Sequence, residues 1–249
     1  ACLAAGDTLR VKSGTYAEAL TNPLPSGLSA SQPTTLEGDP APNRPILRPT
    51  TSTGGNIINL NQARSNVRFT NLVVDGTNHG TSPNLITAFV VGGLTPSTNI
   101  TLENCELIGR NNVFTSAAAV NVSQYGVSTI VRNCSIHSWR SNETNPGAHG
   151  FYWRGSNGLI ENNEIYDNNG YGLQFYRGGG GGVNNNVFRN NYVHDNSTGL
   201  NGGSMGGLYI ATGSGNRVYN NIFSNNHKGV QFTSAGSNNH LWNNTIYNN

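Results

Sequence analysis

The chain has 249 residues, only 10% of them charged, and a formal net charge of +2. So sparse a charge supplies no field for nucleic acid or an anionic membrane, and no apolar run reaches the length of a membrane span. Asparagine and glycine dominate instead, with 40 Asn and 32 Gly; both tolerate φ > 0 at low cost and suit sharp bends between short strands.

Ala1-Cys2-Leu3-Ala4-Ala5 looks like the tail of something trimmed. Residues 4–11, with Gly14-Thr15-Tyr16, predict a short helical lead-in followed by the opening strands. The Pro-rich stretch from Pro23 to Pro49 predicts a loop-heavy set of irregular first turns. A phrase then recurs: two β-favouring residues, an Asn, two variable positions and an inward apolar residue. Its Asn falls at Asn71, Asn104, Asn133, Asn162, Asn190, Asn220 and Asn243, followed by Val74, Leu107, Ile136, Ile165, Val193, Phe223 and Ile246. Units of about 23 to 33 residues mark a solenoid, in which no unit buries a core alone and stacking supplies the stability. A disordered Asn-rich tract is excluded, because these Asn keep register with buried-type aliphatics. They are scaffold: amides stacked at about 4.8 Å can hydrogen-bond up the column.

Each unit holds three short strands. One of them alternates over 119–123, 150–154, 172–176, 207–211 and 229–233. Its inward residues are Val120 and Val122, Phe151 and Trp153, Leu173 and Phe175, Leu208 and Ile210, Val230 and Phe232. Cys105 and Cys134 each follow a repeat Asn, and Asn163, Asn191, Asn221 and Asn244 continue that position. Two stacked free thiols are favoured over a disulfide, since parallel side chains give poor disulfide geometry. The whole chain reads as one domain, residues 1–65 forming the lead-in and irregular turns and 66–249 the regular coils. The sequence stops in mid-turn, which predicts either a fragment or a partner docked on the last turn.

The sequence resembles the right-handed parallel β-helix proteins of the pectin-lyase-like superfamily. The resemblance is carried by Ala5-Gly6-Asp7-Thr8-Leu9 with Gly14-Thr15-Tyr16-Ala17-Glu18, by Asn71 to Gly76, and by His149 to Asn168. It implies an all-β, single-stranded parallel β-helix with Asn ladders. For function it implies a wide range: lyases, epimerases, hydrolases, phage tailspikes and non-catalytic surface proteins. It also implies a site on the outer face of the strand that follows the long loops.

On that face the outward residues are Asn121 and Ser123, Tyr152 and Arg154, Gln174 and Tyr176, Tyr209 and Ala211, Gln231 and Thr233. His149 and Tyr171 precede two of these strands. Loops 138–148 and 195–205 are expected to wall the groove. Planar amphipathic rings and amides suit an extended, hydroxyl-rich ligand. Within the groove His149, Tyr152 and Arg154 are the catalytic candidates, and Gln174, Tyr176, Arg177, Tyr209 and Gln231 the substrate-binding ones. β-Elimination from a uronic acid needs a base, His149 or Tyr152, and a cation on the carboxylate, Arg154 or Arg177. The bland reading competes: His149 bonded within its loop and the arginines solvated on the rim.

The aspartate sets that the resemblance implies for hydrolases are missing, and Asn145-Pro146-Gly147 stands where the epimerases carry Asp-Pro-His. No acidic cluster supports calcium, so no cofactor or metal is expected. A second column, His137, Tyr166 and His194 beside Asp167 and Asp195, reads either as a divalent-metal site or, more commonly, as a solvated Asp–His ladder. Two functions remain open. The first is an extracellular or cell-surface β-helix that binds an extended acidic polysaccharide and cleaves or epimerises it; a pI near 8.5 points weakly the same way. The second is a non-catalytic structural or adhesive β-helix that stacks end to end into fibres through uncapped termini. Neither involves nucleic acid or a membrane span.

Overall fold

The computed structural model describes residues 2–50, 55–78, 86–93, 95–109, 117–140, 147–176, 183–198, 205–233 and 236–249. Three parallel sheets of ten, nine and eight strands run the length of the described chain; a turn typically contributes one strand to each, and Gly126–Val127 is an extra short strand in the first. The first sheet starts with Thr8–Val11, Thr34–Gly38, Ser65–Thr70 and Ser97–Glu103 and ends with Arg217–Tyr219 and His240–Trp242. The second includes Glu106–Ile108, Ser135–His137, Glu164–Tyr166, Tyr192–His194 and Ile222–Ser224. The third, which carries the candidate site residues, consists of Leu20–Thr21, Gly55–Leu60, Ile86–Val91, Ala117–Val122, Ala148–Trp153, Leu173–Phe175, Leu208–Ile210 and Val230–Phe232. This is the parallel β-solenoid expected from the repeat.

The repeat Asn makes the bend between the first and second strands of a turn. Asn71, Asn104, Asn133, Asn162, Asn190, Asn220 and Asn243 all have φ between 51° and 59°, the left-handed region that Asn enters more readily than branched residues. The hydrogen-bonded ladder is built by the residue that follows. Asn191 Oδ1 accepts from the Asn163 backbone N–H and from Asn163 Nδ2, both at 3.0 Å, and Asn191 Nδ2 donates to Asn221 Oδ1 at 3.0 Å and to Ile160 O at 3.0 Å. Two more ladders run beside it, Asn168–Asn196–Asn226–Asn249 and Asn186–Asn216–Asn239. They satisfy buried backbone groups at all three corners, where strand pairing cannot reach.

Cys105 and Cys134 occupy the first ladder as buried free thiols. Each sulfur donates to the carbonyl two residues back, Glu103 O and Arg132 O at 3.1 Å. Ladder asparagines bond the same way, as Asn191 Nδ2 does to Arg189 O at 2.9 Å. Burial, reinforced by Cys105 beside it, holds the Cys134 thiol well above its usual pKa.

The interior of the tube is apolar: Phe69, Phe89, Phe151, Trp153, Phe175, Phe188 and Phe223 are fully buried. In the last turn the same columns are only half covered, with Phe232 51% and Ile246 50% exposed. The expected helical lead-in is absent. Residues 4–7 form a turn in which the Asp7 N–H donates to Ala4 O at 3.2 Å and the Asp7 carboxylate accepts from the Ala4 N–H at 2.8 Å. A short segment closed by its own aspartate has a local alternative to helix. The Pro-rich stretch holds the strands Thr34–Gly38 and Ile46–Leu47, each paired in register with the turns on either side. No helix among the described residues is long and apolar enough to cross a membrane.

Candidate functional site

Register in the third sheet aligns Asn59, Val90, Asn121, Tyr152, Gln174, Tyr209 and Gln231, one residue per turn. The residues on either side of each point into the core, so strand alternation turns this column outward. The first outward residue expected of each strand from Asn121 onward is therefore brought into one file, whereas Ser123 and Ala211, also expected to face outward, are buried. Thr21, Asn59 and Val90 extend it by three turns, which the sequence reading missed. No Asp or Glu stands in the column.

His149, Tyr152, Tyr176 and Arg154 form the cluster at its centre. The Tyr152 ring lies 6.1 Å from His149 and 6.2 Å from Tyr176, and the Arg154 guanidinium carbon sits 5.3 Å from the Tyr152 ring centroid. Tyr171 stacks between His149 at 5.6 Å and Tyr209 at 4.8 Å. Arg154 has no carboxylate within ion-pair distance among the described residues, and its Nε is buried without a hydrogen-bond partner. Most arginines elsewhere are spent on internal pairs: Arg48 on Asp75, Arg68 and Arg132 on Glu103, Arg140 on Asp167, Arg189 on Glu161. Arg154 is thus a cation held against an aromatic face, with no carboxylate of the described residues paired to it.

His149 is 7% exposed, and burial lowers its pKa to about 4. Its Nδ1 accepts the Tyr171 backbone N–H at 2.9 Å. A neutral imidazole that accepts at Nδ1 carries its proton on Nε2, so the His149 ring has no free lone pair. The role of base, inferred from residue type alone, does not fit a ring whose lone pair is already committed. Burial also raises the Tyr152 pKa; Arg154 opposes that shift and Tyr176 adds to it. Arg177 lies outside the described residues, as do the central parts of both expected loop walls, 141–146 and 199–204.

The unpaired acceptors lie in the same column. Asn59 Oδ1, Asn121 Oδ1, Gln174 Oε1 and Gln231 Oε1 are enclosed and lack hydrogen-bond partners. Such an oxygen costs roughly 1–3 kcal/mol where no donor reaches it.

The second column resolves as a satisfied ladder. His137, Tyr166 and His194 stack at 4.7 and 5.0 Å. His137 meets Glu106 at 3.3 Å, and His194 meets Asp195 at 2.6 Å and Glu164 at 3.4 Å. No group of three or more metal-ligating side chains occurs among the described residues. A notch on the first sheet, lined by Arg10, Lys12, Glu37 and Asp39, is likewise closed on itself, through Arg10–Glu37 at 3.2 Å and Lys12–Asp39 at 3.6 Å.

The family described as "Right handed beta helix region" matches over residues 119–249. Among solved structures, pectate lyase Pel9A aligns with a TM-score of 0.53 at 13% identity, covering 94% of this chain and 70% of that one. An alginate lyase from Paenibacillus sp. str. FPU-7 aligns at 14% identity over 99% of this chain and 92% of that chain, with a TM-score of 0.48. The A-module of mannuronan C-5 epimerase AlgE4 from Azotobacter vinelandii aligns at 12% identity over 97% of this chain and 89% of that one, with a TM-score of 0.34. At these identities the likeness is one of fold. No curated protein matches the chain.

Proposed function

The chain belongs to the right-handed β-helix family, and on that scaffold we propose that it binds an extended, acidic polysaccharide along the outer face of its third sheet. The observation that carries this reading is the Arg154 guanidinium over the Tyr152 ring, with no carboxylate of the described residues within ion-pair distance, beside a file of outward Asn, Gln and Tyr side chains. A uronate polymer supplies a carboxylate for the guanidinium and hydroxyls for the polar file. The solved structure with the same fold at a TM-score of 0.53 is named a pectate lyase; that supports the scaffold, while the chemistry rests on the groove. Such a polymer places the protein at the cell surface or outside the cell.

The cluster also suits elimination. A base removes the C5 proton, the electrons form a C4=C5 double bond, and the C4–O bond breaks as the leaving oxygen takes a proton. With the His149 lone pair committed to Tyr171, Tyr152 is the remaining proton carrier, and Arg154 beside it favours the phenolate. Arg154 also neutralises the carboxylate as charge develops at C5.

The test is a screen of uronate polymers followed by absorbance of the unsaturated product. Wild type should act on at least one polymer, faster on the alkaline side, and Arg154→Ala should lower kcat/KM about a hundredfold, or about 2.7 kcal/mol. Neither binding nor product with any uronan contradicts the proposal. The competing reading, a non-catalytic structural β-helix, needs no saccharide site, so it predicts that wild type and Arg154→Ala alike neither bind nor cleave any uronan.

A further inference from the structure

Two cysteines share one corner of adjacent turns. Register pairs Glu103 with Arg132 and Glu106 with Ser135, so Cys105 and Cys134 lie opposite each other in the first ladder. Both are almost wholly enclosed, 1% and 3% exposed. Cys105 reaches the Cys134 sulfur with its thiol and with its backbone N–H. Paired residues of neighbouring parallel strands stand about 4.8 Å apart, within the roughly 4.4–6.8 Å that a disulfide spans between Cα atoms. Side chains that leave the backbone in the same direction strain such a bond, and strain makes it easier to reduce. The corner can also give up both S–H donors without leaving an acceptor bare. Glu103 O keeps the Asn71 N–H at 3.3 Å, and Arg132 O keeps the Asn104 N–H at 3.2 Å. The Cys134 N–H stays on Asn163 Oδ1 at 2.9 Å.

Burial selects the oxidant. A bulky disulfide does not reach sulfurs enclosed in the tube, whereas hydrogen peroxide is close to water in size and enters through brief local openings. The thiolate of one cysteine attacks a peroxide oxygen, giving a sulfenic acid and water. The neighbouring thiol then attacks the sulfenic sulfur, loses its proton and expels a second water. Two thiols are oxidised to one disulfide, and one peroxide is reduced to two waters. A buried cysteine without such a neighbour has no thiol to stop its oxidation at the reversible stage. We propose that Cys105 and Cys134 form a staple, set by peroxide and released by thiols, that joins two turns of the helix covalently. The staple does not depend on what the groove binds.

The experiment treats the folded Cys2→Ser protein, which lacks the exposed third thiol, with hydrogen peroxide and follows it by peptide mass spectrometry and hydrogen exchange. The Cys105 and Cys134 peptides should appear linked, two hydrogens lighter than the separate pair, and dithiothreitol should part them again. Exchange at the Ser135 amide, which donates to Cys105 O at 3.0 Å, should slow about tenfold in the oxidised protein, because the link opposes local separation of the two turns. Cys105→Ser and Cys134→Ser each remove the resolving partner, so the remaining cysteine should gain oxygen instead. Thiols that survive excess peroxide unchanged would overturn the proposal, as would oxygen gained on both cysteines of the parent protein. A link that forms only in urea, or one that leaves Ser135 exchange unaltered, would overturn it as well.

Discussion

Asn162 and Asn163 are the same amino acid side by side, yet the first is exposed with φ at 55° and the second is buried with its amide in a ladder. Their substitutions should therefore differ in kind. At Asn162 the backbone sets the cost: Asn162→Gly should change stability by only a few tenths of a kcal/mol, while Asn162→Val should cost about 1–2 kcal/mol, because a β-branched residue resists the left-handed region. Urea midpoints of the two variants check this. His149 makes a different residue-scale prediction. Its pKa is about 4 in the folded chain against 6.5 for the free side chain, so between those values the unfolded chain holds a proton that the folded chain does not. Stability is then full above pH 6.5 and falls as the pH drops towards 4, by about 3 kcal/mol. The His149→Gln variant should lose this part of the slope, seen as the difference between the two proteins' urea midpoints at pH 7 and pH 4.5.

Strands of three residues cannot hold a sheet by themselves, and the corners between them do much of the work. Asn191 joins three successive turns, and its loss leaves the buried Asn163 N–H without its acceptor and takes one donor from the Ile160 carbonyl. Asn191→Ala should cost about 3 kcal/mol or more, and its neighbour Asn190→Gly far less. Because each repeat contacts only its neighbours, the damage should appear as local opening of turns 160–224 before global unfolding. Hydrogen exchange at the Ile160, Val193 and Ile222 amides would reveal it. The first ladder was legible in the sequence because it sits next to the repeat Asn. The other two stand five residues to either side, in register with it, but their offset is meaningful only once the turn is known to have three corners. The cysteines were legible as members of the first ladder. That a thiol reproduces the amide's bond to the carbonyl two residues back was visible only in the geometry.

At the scale of the whole molecule, the repeat determines the tube and the tube determines the groove. Stacked units of near-constant length force one register, and register decides which side chains share a face. The outward file from Asn121 to Gln231 could accordingly be read from sequence. Asn59 and Val90 could not, because the irregular spacing of the first turns hides their phase. His149 shows where residue type misleads: a histidine at the mouth of a groove invites the role of base, and one backbone N–H at its Nδ1 reverses the role it can play. Arg154 shows the converse, since its want of a counter-ion can be seen only when the ion pairs of the other arginines are known. The most direct measurement is a crystal structure of the protein with a uronate tetrasaccharide. The sugars should lie along the file between Asn121 and Gln231, with one carboxylate on the Arg154 guanidinium and a ring against Tyr152 or Tyr209. A saccharide bound instead on the His137–Tyr166–His194 face, or a groove left empty at saturating ligand, would contradict the account.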